Sequence, residues 1–136
     1  MRKFIFILVG IFVPGTVSGT ELLMIHENGC EWCEVWEEEV GHVYPKTPEG
    51  KFAPLTRVEI DDIWKIGEFE RVVVYTPTFL LMSDSREIGR IEGYPGEDFF
   101  WALLNQILDK KTKYKEISVL DISKIKSQKE VINFIN

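Results

Sequence analysis

The chain has 136 residues, 22 acidic against 16 basic side chains, a formal net charge of -6, two cysteines, and 45% apolar and 12% aromatic content. A single domain of this size buries an adequate core without covalent staples, so the two cysteines are not needed for stability, and the apolar content excludes global disorder. The acidic balance, with no basic stripe interleaved with aromatics in the first hundred residues, argues against nucleic acid as a partner, because neutralising phosphates requires clustered Lys and Arg.

Arg2 and Lys3 precede an almost unbroken apolar run from Phe4 to Val13, Pro14-Gly15 breaks it, and Val17-Ser18-Gly19 offers small residues for cleavage. The run is about ten residues, where a spanning helix needs roughly 17–25. Residues 1–19 are therefore expected to be a cleaved signal peptide, the alternatives being an uncleaved anchor or a buried strand or core helix. Export leads to a periplasm or another extracytoplasmic space in which disulfides persist, with membrane attachment only if the segment is retained.

Residues 20–108 read as the domain proper. Glu21 to His26 is a compact apolar run suited to a buried strand, and Glu27-Asn28-Gly29 turns the chain into Cys30. From Cys30 to Val40 there is no Gly or Pro, Cys33, Val35, Trp36 and Val40 fall at near-helical spacing, and Gly41 supplies a stop, so a helix is expected. Tyr44 to Pro54 holds three prolines and a glycine and reads as an exposed loop shaping a binding rim. Leu55 to Ile60 alternates like a strand, and Asp61-Asp62 starts a short helix through Glu68. Val72-Val73-Val74 leads through Tyr75-Thr76-Pro77-Thr78 into a strand from Phe79 to Met82, which a polar turn joins to Glu87–Glu92 as a hairpin.

After Gly93-Tyr94-Pro95-Gly96, a helix is expected from Glu97 to Leu108 with Phe99, Phe100, Leu103, Leu104, Ile107 and Leu108 on its buried side. Glu97 and Asp98 in its first turn complement the helix dipole. Residues 109–136 form a Lys-rich extension carrying seven lysines, read mainly as a solvated segment. Within it Ser127 and Glu130 have capping-box spacing, and Val131, Ile132 and Ile135 fit one face of a short terminal helix.

Two cysteines three residues apart at a helix N-terminus close a small disulfide ring, and the first sulfur then faces unpaired N–H groups that stabilise a thiolate. Cys30 is the expected exposed nucleophile, and Cys33, one turn later and pointing inward, the expected resolving thiol. An inert disulfide and half a metal site completed by His26 and His42 are the competing readings. Trp32, between the cysteines, suits packing against an incoming peptide or against its own domain, while Trp36, Trp64 and Trp101 read as core or rim packing. Thr76-Pro77 lies 43 and 44 residues after Cys33, at the start of an apolar strand where proline is tolerated and a cis bond costs little.

Cys30-Glu31-Trp32-Cys33 after a buried strand, Thr76-Pro77-Thr78 before a hairpin and Gly93 after it resemble the thioredoxin superfamily over residues 21–108. Tyr44-Pro45-Lys46-Thr47, Ala53-Pro54-Leu55, Thr76 to Phe79 and Ile91 to Trp101 are similar to periplasmic thioredoxin-like proteins of the SoxS type, which accompany bacterial sulfur-oxidation systems. The resemblance implies an α/β thioredoxin-like fold, with a central mixed sheet of about four strands flanked by helices. It further implies a cis Thr76-Pro77 bond whose loop lies against the cysteines, blocks metal capture and pairs with substrate backbone. The activity implied is reduction of disulfides in periplasmic partner proteins, with no bound cofactor and with electrons returned by a membrane thiol carrier. The Glu-Trp pair between the cysteines, the proline-rich segment and the Lys-rich tail depart from ordinary thioredoxin, so its donor and substrates do not carry over.

Residues 20–70 hold thirteen acidic and four basic side chains, a local charge of -9. Negative charge opposes a Cys30 thiolate, which places the expected potential toward the reducing end of a range from about -270 to about -120 mV. A redox-sensing module without turnover and a disulfide oxidase or isomerase are the rival functions.

Overall fold

The computed structural model describes residues 19–135, and for Ser127 and residues 130–135 the backbone alone. The expected signal peptide, Gly19 apart, lies outside the described residues. Four strands, β1 (Thr20–His26), β2 (Leu55–Glu59), β3 (Thr78–Ser83) and β4 (Arg86–Glu92), form one mixed sheet in the order β2-β1-β3-β4. β1 runs parallel to β2 and antiparallel to β3, and β3 antiparallel to β4. Asp84 and Ser85, both with positive φ, close the β3–β4 hairpin with two residues.

Side-chain alternation along the two central strands divides the core. Leu22 and Met24 of β1 and Phe79 and Leu81 of β3 face one side, where they meet Cys33, Trp36, Val40, Tyr44, Phe100, Leu104 and Leu108. Leu23 and Ile25 with Leu80 and Met82 face the other, joined by Val58 and Val73 and by partly buried Ile60, Ile63, Ile66 and Phe69. A one-residue slip would exchange the two sets, so burial on both faces fixes the register. Trp36 is fully buried and packs against Phe79 and Phe100 at centroid distances of 5.0 and 5.5 Å, anchoring the helix that carries the cysteines.

That helix, α1 (Glu31–Trp36), continues into a π turn, Glu37–Gly41. The exposed loop expected from Tyr44 to Pro54 is instead a 3-10 turn, Tyr44–Lys46, and a short helix, α2 (Pro48–Phe52). Thr47 caps α2 by accepting from the Gly50 N–H at 3.0 Å, and Pro48 takes the first helical position, where its missing N–H costs nothing. Tyr44 is buried and donates its hydroxyl to the Ala53 carbonyl at 2.8 Å. A Cβ at position 50 would stand 1.9 Å from the Tyr44 carbonyl oxygen, so this close approach needs glycine.

On α3 (Glu97–Lys111) the buried face is narrower than the apolar stripe. Phe100, Leu104 and Leu108, four apart, point into the core, and Trp101 and Ile107 are partly buried, but Phe99 and Leu103 are exposed. Gly89 of β4 lets Ile107 approach the strand, since a Cβ there would stand 2.4 Å from the Ile107 side chain. Beyond it α4 (Tyr114–Ile135) is one continuous helix of 22 residues, so Ser127 lies within it rather than at a cap. No Gly or Pro interrupts residues 114–135. Tyr114 meets Phe52 edge-on at 5.2 Å and joins the core, tying the extension to the domain. Trp64, read as core or rim, is 74% exposed. No helix among the described residues is long and apolar enough to cross a membrane.

Candidate active site

Gly29, at φ +77°, reverses the chain after β1 and delivers Cys30 in extended conformation to the N-cap of α1. Cys30 and Cys33 are joined in a disulfide with 5.2 Å between their Cα atoms. The Cys33 N–H donates to Cys30 Sγ at 3.2 Å, and the Cys33 and Glu34 N–H groups also reach the Cys30 carbonyl. A sulfur so placed accepts from a helix N-terminus, which favours its anionic form on reduction. The sequence predicts Cys30 as the exposed member, yet it is 9% exposed against 6% for Cys33. In the oxidised pair its sulfur is turned back onto the first helical turn, where it caps the Cys33 N–H.

The Thr76-Pro77 bond is cis, and three hydrogen bonds hold this turn. Gly93, at φ +77°, donates its N–H to the Pro77 carbonyl at 2.8 Å, and Thr78 Oγ1 donates to the Tyr75 carbonyl at 2.7 Å. Thr76 Oγ1 donates to Glu27 Oε1 at 2.5 Å, joining the turn to the loop that enters Cys30. Trp32, 60% exposed, forms a wall of an open groove of about 450 Å³ completed by Tyr75, Thr76, Glu92, Gly93 and Tyr94. A second depression of about 430 Å³ is lined by both cysteines with His26, Glu27, Glu34, Glu37, Glu38 and Arg57 among others. The structure thus brings Cys30, Trp32, Cys33, Thr76 and Pro77 to one end of the sheet.

The acidic surroundings are partly engaged. Glu37 takes a two-point contact from the Arg57 guanidinium, one bond of 2.7 Å and one shorter. Gly41 permits this, since a Cβ there would collide with the Glu37 carboxylate. Glu39 accepts from the Tyr94 hydroxyl at 2.5 Å; burial first, then this carboxylate, pushes the Tyr94 phenol well above its usual range. His26 lies 3.7 Å from Glu59, and His42 is exposed. Among the described residues no three His, Cys, Asp or Glu side chains are arranged to hold a metal ion. The sequence shows Glu27 only as one of the acids near the cysteines and Glu92 and Tyr94 only within the Ile91–Trp101 stretch; no local pattern gives them a place beside the X-Pro turn.

A disulfide at a helix N-terminus, beside an X-Pro turn and an open groove on a four-stranded mixed sheet, defines a thiol-disulfide oxidoreductase. No protein-family model and no curated protein matches the chain. Among solved structures it is similar to the periplasmic thioredoxin SoxS of Paracoccus pantotrophus in its reduced form, at 44% identity and TM-score 0.64, covering 66% of this chain and 96% of that one. A Malassezia sympodialis thioredoxin matches at 22% identity and TM-score 0.49, covering 66% of this chain and 78% of that one. A malarial protein matches at 20% identity and TM-score 0.50, covering 66% and 98% respectively; at that identity it shows the fold alone. The chain belongs to the thioredoxin superfamily, close to SoxS.

Proposed function

We propose that this oxidoreductase works outside the cytoplasm as a reductant of disulfides in partner proteins. The observation that carries the reading is the Cys30–Cys33 disulfide, with Cys30 at the N-cap of α1 beside the Thr76-Pro77 turn. In the reduced protein the Cys30 thiolate attacks one sulfur of an oxidised partner; the partner's other sulfur leaves as a thiolate and takes a proton. The resulting mixed disulfide lies across Trp32, Thr76 and Pro77, where the turn's backbone pairs with the partner's peptide. Cys33, deprotonated, then attacks Cys30 Sγ, expelling the partner's second thiol and closing the Cys30–Cys33 disulfide. Two electrons have passed to the partner. Exchange of this kind requires no bound cofactor, and a membrane thiol carrier is the proposed donor that restores the dithiol. The extracytoplasmic site is supported by the apolar N-terminal run and by the periplasmic location in the name of SoxS.

Replacing Cys33 with Ser removes the resolving thiol, so Cys33→Ser is expected to accumulate covalent complexes through Cys30 that dithiothreitol releases and mass spectrometry identifies. Cys30→Ser should trap nothing. Failure of Cys33→Ser to trap partners in extracts rich in oxidised periplasmic protein counts against turnover and favours a redox-sensing module. A potential near about -120 mV would make the protein an oxidase instead.

A further inference from the structure

Residues 66–77 contain no helix or extended ladder, yet they present Val72, Val74 and Tyr75 to solvent, at 81%, 69% and 64% exposure, and end in the Thr76-Pro77 turn. Ile66, Phe69 and Val73 give this segment apolar contact with the sheet. Apart from the Thr76–Glu27 bond at its far end, the remaining anchorage comes from the hairpin. Glu68 N–H donates to the Ser85 carbonyl and Glu87 N–H to the Glu68 carbonyl, both at 3.1 Å. Two side chains of β4 then take over. Glu87 Oε2 accepts from the Glu70 N–H at 2.9 Å, and Arg90 Nη2 donates to the Arg71 carbonyl at 2.9 Å.

These two side chains are a buried ion pair: Glu87 is 0% and Arg90 6% exposed. Arg90 Nε meets Glu87 Oε1 at 2.5 Å and Nη2 meets Oε2 at 2.6 Å, while Nη1 reaches Glu92 Oε1 at 3.1 Å. Arg71 Nη2 bonds the same Glu92 oxygen at 2.9 Å. A buried pair is a weak source of stability compared with apolar residues of equal volume. Its distinctive contribution here is geometric. One planar guanidinium, with donors in a rigid fork, ties the Arg71 carbonyl of the segment to Glu92 in the groove wall, and its partner Glu87 holds the Glu70 N–H. Tyr75 and Thr76 follow four and five residues after Arg71 and line the groove together with Trp32.

We infer that Arg90, acting with Glu87, is a positioning residue for disulfide exchange with protein partners, holding residues 66–76 so that Tyr75 and Thr76 form one side of the partner-binding groove. The inference rests on the reductase reading above. It concerns binding of a polypeptide, so a small disulfide that does not fill the groove is indifferent to it.

The test is steady-state reduction of insulin, with dithiothreitol as electron source, by wild type, Arg90→Gln and Arg90→Lys. Arg90→Gln is expected to raise KM for insulin about fivefold while kcat, and the rate with Ellman's reagent, change less than about twofold. The Cys30–Cys33 potential stays at the wild-type value. Arg90→Lys keeps the charge but not the fork, and is expected to behave like Arg90→Gln. If Lys restores wild-type KM, charge rather than positioning is responsible and the inference falls. A parallel loss of insulin and Ellman's-reagent rates with a shifted potential also overturns it, because that is general damage. Amide hydrogen exchange supplies a readout free of turnover. Exchange should quicken at residues 67–76 in Arg90→Gln and hold steady in β1 and α1, and an unchanged pattern rejects the positioning role. A wild-type protein that fails to reduce insulin overturns the reductase reading, leaving exchange to decide the structural claim. Should Arg90→Gln fail to fold, Arg90→Lys, which keeps a cation beside Glu87, carries the same measurements with the same expected KM rise of about fivefold, and no change in either readout refutes the inference.

Discussion

At Cys30 two opposing influences meet. The first turn of α1 supplies the Cys33 N–H to its sulfur, while Glu31 and Glu34 occupy that same turn and Glu27 stands three residues before it. Glu37, Glu39 and Glu27 are each bonded, to Arg57, Tyr94 and Thr76, whereas Glu31 and Glu34 are exposed. These two carboxylates therefore carry the clearest test of the acidic surroundings. The double variant Glu31→Gln/Glu34→Gln is expected to stabilise the thiolate and raise the potential by about 10–30 mV, the equivalent of roughly 0.5–1.4 kcal/mol for exposed charges. Equilibration with glutathione measures the potential, and alkylation rate against pH should show a lowered Cys30 pKa; a potential that stays put refutes the argument. The carboxylates and their spacing from the cysteines were legible in the sequence. Their partners were not, because Thr76 lies 49 residues from Glu27 and Tyr94 55 from Glu39, and no local pattern specifies such contacts.

The elements most legible in the sequence are those with continuous apolar runs or clear alternation bounded by turn residues. β1 and β3 stand where their apolar runs put them, β2 where alternation does and β4 where the polar turn does, and α1 starts between the cysteines, capped by Cys30 and carrying Cys33. The segment from Tyr44 to Pro54 differs from the loop that its three prolines predict because Thr47-Pro48 caps and starts a helix. Its organising contact is Tyr44, stacked on Trp101 with centroids 5.9 Å apart and bonded through its hydroxyl to Ala53. Burial, then the nearby Glu49 and Tyr114, pushes this phenol well above its usual value. Its folded pKa is raised, so its contribution is fully present below the unfolded pKa of about 10 and is lost as pH rises beyond it. Tyr44→Phe leaves the Ala53 carbonyl without this donor and is expected to cost about 1–2 kcal/mol at neutral pH in urea unfolding. The same variant should lose less stability than wild type between about pH 10 and 11. A cost at neutral pH near zero would mean that solvent replaces the bond and that Tyr44 acts through its ring alone.

Across the whole molecule charge is divided between the ends of the sequence. Residues 20–70, which include the cysteines, carry -9, whereas residues 109–136 hold seven lysines and four acids, a local charge of +3. That division is readable from the sequence, but the helix bearing four of those lysines is not, since the capping-box spacing at Ser127 and Glu130 places a start thirteen residues after the observed one at Tyr114. A cationic partner approaching the cysteines gains from the negative field, and such steering weakens as salt shortens the screening length from about 30 Å at 0.01 M to about 8 Å at 0.15 M. Two short peptides with the same cystine, one flanked by lysines and one by glutamates, isolate this effect. The lysine peptide is expected to be reduced about tenfold faster in kcat/KM at low salt, with the gap closing to about twofold at 0.15 M. Ellman's reagent, a dianion, should instead react faster as salt is added. Equal rates for the two peptides at low salt would show that exchange is governed by the groove's aromatic walls and peptide pairing, with no part played by the charge around the cysteines.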